Sequence, residues 1–74
     1  MTIKELKIYY ESEYGATKMF LANIPSWANK KEVINNLLQR LLGAAYLSQH
    51  CELSAQEVAN LYNEYKYKIE KLGE

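Results

Sequence analysis

The clearest pattern of hydrophobic and polar positions lies in residues 55–72. Hydrophobic side chains recur there every three or four residues, within roughly 120° of arc, as is typical of a helix with one packing face. Ser54 and Glu57 in "SAQE" have the spacing of a capping box, and Gly73 follows as a stop signal. The hydrophobic positions are Ala55, Val58, Leu61, Tyr62, Tyr65, Ile69 and Leu72. We predict a helix over about residues 55–72.

The middle of the chain predicts a second helix that is hydrophobic around about half of its circumference. It begins after Ser26 or Asn29, where "NKKE" offers another cap, and covers about residues 28–50. One row holds Val33, Leu37, Ala44 and Cys51, the other holds Ile34, Leu38, Leu42 and Ala45, and Leu41 lies between them. Because exposing either row would forgo roughly 1.5 to 3 kcal/mol per large side chain, this helix is expected to need two partners.

The N-terminal segment is expected to be the second partner. "TIKE" is a third capping pattern, and Ile3, Leu6, Tyr10 and Tyr14 keep helical spacing up to Gly15, so a helix is predicted over about residues 3–14. The alternative is a strand over residues 6–11 that forms a hairpin with "KMFLANI". The fold class is therefore all-α, a small three-helix domain with a long central helix, or else α+β with an N-terminal β-hairpin and two helices.

Residues 16–26 are interpreted as an apolar connector that Pro25 terminates. Phe20, Ile24 and Trp27 are expected to fill the core. At 74 residues, the whole chain is treated as one domain, residues 1–74, with the central helix between its two neighbours.

Composition narrows the function classes. Nine acidic and nine basic residues give no net charge, which argues against a strongly basic nucleic-acid binder. A single cysteine excludes an intrachain disulfide and fits a reducing compartment. No apolar run resembles a signal peptide or a membrane span, so a cytoplasmic protein without membrane contact is expected. The many Lys, Asn, Tyr and Glu residues suggest an AT-rich coding sequence, as in phages and other mobile elements.

The adjacent pair His50 and Cys51 is the first candidate for chemistry. Neighbouring residues on a helix project about 100° apart, no Asp exists to orient the imidazole, and no glycine-rich oxyanion loop accompanies them. A structural zinc site wants four paired Cys or His ligands, and Glu52 would add only one further ligand from the same turn. The sequence therefore predicts no catalytic residue, no metal and no cofactor, and a protein that is not an enzyme.

Residues around "SQHCELSAQEV" resemble a helix-turn-helix pattern over about 20 residues. Ser48, Glu52, Val58 and Leu61 take its key places, although Glu52 stands where the motif has Gly. Gln56 and Asn60 would then read bases, but the basic residues lie at the far end of that helix. A DNA-binding transcriptional regulator is the alternative function.

Aromatic residues outside the hydrophobic stripes point to a protein partner. Tyr9, Tyr46 and Tyr67 are expected to be exposed, and Arg40 borders the polar strip of the central helix; Tyr and Arg often dominate binding interfaces. These four residues are the predicted partner-binding positions. The favoured function is a small binding protein that acts as a regulator, adaptor or inhibitor of a macromolecular partner, and homodimerisation is compatible with this function.

Overall fold

The fold is a bundle of three α-helices. A computed structural model describes residues 2–48 and 53–74, which form α1 (Ile3–Ala22), α2 (Lys30–Ser48) and α3 (Ala55–Leu72). No strand occurs within these residues, so the predicted all-α class is confirmed. The alternative hairpin is wrong, because residues 6–11 and most of "KMFLANI" lie within α1.

Helix α1 is longer than its sequence pattern predicts. The Thr2 hydroxyl accepts a hydrogen bond from the Glu5 amide at 3.1 Å and the Glu5 carboxylate accepts one from the Thr2 amide at 3.0 Å, so the predicted capping box is present. Gly15 does not end the helix. The chain continues helically because Thr17 is buried and Leu21 packs on the core, which offsets the cost of a helical glycine, about 1 kcal/mol.

Helix α1 ends shortly before Pro25, because the residue before a proline disfavours helical conformation. Its cap residue Asn23 donates an amide hydrogen bond to the Phe20 carbonyl at 3.2 Å, two residues before Pro25. Residues 16–22 therefore belong to α1 and not to a connector. The expected role of the connector's large side chains is also wrong: Trp27 is 82% exposed, Phe20 is 40% exposed and Ile24 is only half-buried.

Helix α2 buries one stripe, not two rows. Asn29 caps it by accepting a hydrogen bond from the Glu32 amide at 3.2 Å. The buried residues are Ile34, Leu37, Leu41, Ala45 and Ser48. This stripe is centred on Leu41, between the two rows that the sequence suggested. Val33, Leu38 and Ala44 lie at its edges, whereas Leu42 is 46% exposed, so the expectation that both rows are covered is wrong.

The three helices pack around a single core. The backbone measures 42 × 16 × 16 Å, so helices about 27 to 30 Å long must lie along the long axis. Helix α2 runs antiparallel to both neighbours. Only residues 23–29 connect it to α1, as is typical of antiparallel neighbours, and Ile34 near its start lies beside Gly73 at the end of α3. Helices α1 and α3 also contact each other, so α2 is one side of a triangle and not the middle of a sandwich.

Helix α3 fits its predicted span, but its ends differ from expectation. Ser54 is the N-cap residue, yet its side chain makes no capping hydrogen bond. Gly73 follows the helix with φ −83°, so it serves no left-handed turn. A Cβ at this position would lie 3.0 Å from the Ile34 side chain, and glycine therefore leaves room for α2 to pack against the end of α3.

Candidate protein-binding surface

Helices α1 and α2 carry hydrophobic residues on their outer faces as well as in the core. On α2, the exposed large hydrophobic side chains are Leu42 at 46%, Tyr46 at 65% and Leu47 at 70%. Helix α3 is different, because the positions opposite its buried stripe are mostly charged or amide side chains. The exposed hydrophobic surface is therefore a property of particular helices and is not spread evenly over the molecule.

A shallow groove runs across the outer face of α2. It has a volume of about 500 Å³ and is lined by Gln39, Leu42, Gly43, Tyr46 and Leu47. We call this feature the α2 groove. Its floor is the backbone at Gly43, where a Cβ would meet no other atom within 4 Å. The lining residues have the three- and four-residue spacing of the holes that receive side chains when helices pack.

The surroundings of the α2 groove carry almost no charge. Arg40 is the one charged residue among residues 34–48. Its guanidinium contacts the Glu13 carboxylate, with Nη2 at 3.1 Å and Nε at 3.2 Å from Oε2, so the charge is directed towards α1. The groove thus combines apolar side chains with the amide of Gln39 and requires no charged counterpart.

The structure places the four predicted partner-binding residues on different surfaces. Tyr46 lines the α2 groove. Arg40 lies on the side of α2 that faces α1, and Tyr9 stands one helical turn before its partner Glu13. Tyr9 is half-buried, and its ring meets Tyr10 edge-on at a centroid distance of 6.3 Å.

Tyr67 is separated from the other predicted positions. It lies on the outer face of α3 and is 62% exposed, with the Lys71 ammonium 4.6 Å from the centre of its ring. This face is charged, in contrast to the uncharged α2 groove. The four residues therefore do not form one site, and only Tyr46 belongs to the groove.

The residues of the DNA-binding alternative lie at the start of α3. Gln56 donates a side-chain hydrogen bond to the Asn60 amide oxygen at 2.9 Å, and both are exposed. However, α2 has 19 residues and packs lengthwise against α3, whereas helix-turn-helix motifs cross at about 90–120°. His50, Cys51 and Glu52, which the sequence also singled out, lie outside the described residues.

A second surface depression lies between the start of α2 and the end of α3. It measures about 640 Å³, and charged groups surround it, including Lys30, Lys31, Glu70 and Glu74. The apolar side chains within it are Ile34 and Leu38, which pack against the core of the bundle. In residues 2–48 and 53–74, no group of three or more His, Cys, Asp or Glu side chains is arranged to hold a metal ion.

Two buried tyrosines join the helices behind these surfaces. The Tyr10 hydroxyl donates a hydrogen bond to the Leu41 carbonyl at 2.8 Å, and burial raises the pKa of Tyr10 to about 12. The Tyr65 hydroxyl donates a hydrogen bond to the Glu11 carboxylate. Burial, and then this hydrogen bond, raise the pKa of Tyr65. These phenols are therefore structural links between helices and are held in their neutral form.

Sequence reasoning identified Tyr46 but missed the other apolar residues of the α2 groove. Leu42 was assigned to one of the two rows expected to be buried, and Leu47 belongs to neither row. The signal in the sequence was that α2 carries more hydrophobic residues than one packing face can bury. Trp27 was expected in the core because tryptophan is usually well buried, but its side chain is exposed.

Comparisons of this chain with protein-family models, with curated proteins and with solved structures found no match. Among the described helices, none combines the length and the hydrophobicity that a membrane crossing requires.

Proposed function

We propose that this protein is a non-enzymatic binding protein that docks a helix of a partner protein into the α2 groove. The observation that carries the proposal is the groove itself, an uncharged hydrophobic surface around Gly43 on the outer face of α2. Its lining matches the hole between residues spaced three and four apart, which accepts one side chain from a neighbouring helix. The occupant is therefore an amphipathic helix that presents an apolar side chain to Gly43.

The energetics favour this surface as an anchor. Leu42, Tyr46 and Leu47 are all substantially exposed, and covering a large apolar side chain is worth roughly 1.5 to 3 kcal/mol. Interface energy concentrates at a few such side chains, among which tyrosine is enriched. Gln39 provides an amide at the edge, where hydrogen bonds fix the register of a bound helix. Binding covers a helix of the partner protein, as expected for a regulator, an adaptor or an inhibitor.

Filling the groove is the sharpest test, because it removes no contact of the fold. Gly43→Leu adds a side chain where a Cβ meets nothing within 4 Å, and leucine is the better helix former. Affinity capture from a nuclease-treated lysate of the native host should yield a partner with the wild-type chain and lose it with Gly43→Leu. Tyr46→Ala should weaken the same capture by about tenfold or more.

The matched controls lie on α3. Ala59→Leu places the same leucine side chain at an exposed position, and Tyr67→Ala removes a similarly exposed tyrosine from the charged face. Both should retain the partner. Equal loss with Gly43→Leu and Ala59→Leu, or an unchanged capture by Gly43→Leu, contradicts a role for the groove. Thermal unfolding followed by circular dichroism verifies that each variant folds.

The same lysate experiment distinguishes the DNA-binding alternative. A nucleic-acid partner would disappear with nuclease, its affinity would fall steeply with salt, and Gln56→Ala with Asn60→Ala would abolish it. Docking through an uncharged groove predicts a weak dependence on salt, because little charge is neutralised on binding.

A further inference from the structure

The outer face of α1 also carries exposed hydrophobic residues, on a different side of the molecule from the α2 groove. Leu6, Tyr10 and Thr17 are buried on one side of α1. Ile8 and Met19 project from the opposite side and are 61% and 75% exposed. Ser12 and Gly15 lie between them on the same line. We call the line formed by Ile8, Ser12, Gly15 and Met19 the α1 seam.

The spacing of the α1 seam is that of a helix-pairing surface. Successive members are four, three and four residues apart, which is the alternation of apolar positions in a two-helix coiled coil. In sequence order, the side chains are large, small, small and large. The backbone at the centre is accessible, since a Cβ on Gly15 would meet no other atom within 4 Å.

This order makes the seam complementary to itself. If two α1 helices pair antiparallel, with a two-fold axis between Ser12 and Gly15, each Ile8 opposes the second copy's Met19. Each Ser12 likewise opposes the second copy's Gly15. The small residues let the backbones approach, and the large ones close both ends. A two-fold interface requires this self-complementarity, because both copies contribute the same surface.

The charges beside the seam are also complementary. Glu11 and Lys18 lie on the same flank of α1, where the exposed Glu11 carboxylate also accepts the Tyr65 hydrogen bond, and a two-fold axis brings this flank of both copies together. Glu11 then lies two residues, about 3 Å along the axis, from the second copy's Lys18, so two pairs of opposite charge form. On the other flank, Tyr9 and Ala16 carry no charge, so no like charges meet beside the seam.

We propose that the α1 seam binds a second copy of this chain as an antiparallel helix pair. The interface is one helix wide, so it belongs to the small, transient class that buries below about 1,200 Å² in total. The dimer forms at high protein concentration and leaves the α2 groove accessible.

Sedimentation equilibrium up to about 1 mM chain tests the association. The wild-type mass should rise towards the dimer, and Lys18→Glu should raise the dissociation constant by about tenfold, because it places like charges opposite Glu11. Lys66→Glu is the matched control, an exposed lysine on α3 with the same change of charge, and should leave the dissociation constant unchanged. A monomer mass at every concentration overturns the proposal.

Cysteine cross-linking tests the register. In a Cys51→Ser background, a chain that carries both Ile8→Cys and Met19→Cys should form a disulfide-linked dimer under mild oxidation. A mixture of the two single variants should form only the mixed dimer. Efficient cross-linking of each single variant with itself indicates a parallel pair and overturns the proposed geometry.

The dimer at the α1 seam and partner binding at the α2 groove can be tested separately. Gly43→Leu should leave the dimer mass unchanged, even where it abolishes capture of a partner protein. Loss of the dimer in Gly43→Leu together with its retention in Lys18→Glu would place the second copy at the groove and overturn the assignment to the seam.

Discussion

At the scale of single residues, Tyr10 shows how a polar group is accommodated in a small core. Its side chain is fully buried at the contact of α1 and α2. The hydroxyl is satisfied by the Leu41 carbonyl, and the ring meets Tyr65 edge-on at a centroid distance of 5.4 Å. The residue therefore combines a large apolar contact with one directional bond that fixes how α1 sits on α2.

Tyr10→Phe isolates that bond. It keeps the ring and removes the hydroxyl, so the free energy of unfolding should fall by about 1 kcal/mol, the net value of a buried hydrogen bond. Urea denaturation followed by circular dichroism measures the change. Tyr9→Phe is the control, because no hydrogen bond joins this half-buried hydroxyl to the described residues. A similar loss in both variants would show that the Tyr10 hydrogen bond is not responsible.

At the scale of elements, the three helices differ in how well their sequences predict them. Helix α3 separates its polar and apolar positions cleanly, so its span and its core residues were predictable. Helix α2 is apolar over too wide an arc, and sequence alone does not show that Leu41 faces the core while Leu42 does not. Helix α1 passes through Gly15 because Thr17 is buried, and a buried threonine leaves no hydrophobic signal.

The α2 groove could not be predicted in full from the sequence for the same reason. An α2 groove becomes visible only when the buried stripe is known, since the exposed face is what the core leaves over. Tyr46 was identifiable because tyrosine is amphipathic and lay outside both expected rows. Leu42 and Leu47 were not, because a leucine gives the same sequence signal in a core and at a binding surface.

Two adjacent leucines test the single-stripe core of α2. Leu41 is fully buried and Leu42 is 46% exposed. Leu41→Ala should destabilise the fold by roughly 2 to 5 kcal/mol, because it removes buried methyl groups and leaves a cavity. Leu42→Ala should cost less than about 1 kcal/mol. Urea denaturation of both variants measures the difference, and comparable losses would restore the two-row description of this helix.

At the scale of the whole molecule, two tyrosine hydroxyls bridge the three helices. Tyr10 joins α1 to α2, and Tyr65 joins α3 to α1 through Glu11. Both phenols must keep their protons in the fold, and burial raises the pKa of each. In the unfolded chain, tyrosine ionises near pH 10.

This difference predicts loss of stability at alkaline pH. Because the pKa of Tyr10 is raised in the folded state, the stabilisation from its protonated phenol is complete below about pH 10. It is lost as the pH rises through about 12. The slope is about 1.4 kcal/mol per pH unit for each such group. The urea midpoint should fall between about pH 8 and about pH 11, and less steeply in Tyr10→Phe. An equal fall in both proteins would contradict a contribution from Tyr10.

Trp27, the chain's one tryptophan, projects into solvent at 82% exposure. Its indole therefore meets water in the native bundle as it does in the unfolded chain, and its emission wavelength should hardly move when the helices come apart. Tryptophan fluorescence is accordingly a poor reporter of folding for this protein. A blue shift of the tryptophan emission would instead indicate that another molecule binds over the turn between α1 and α2.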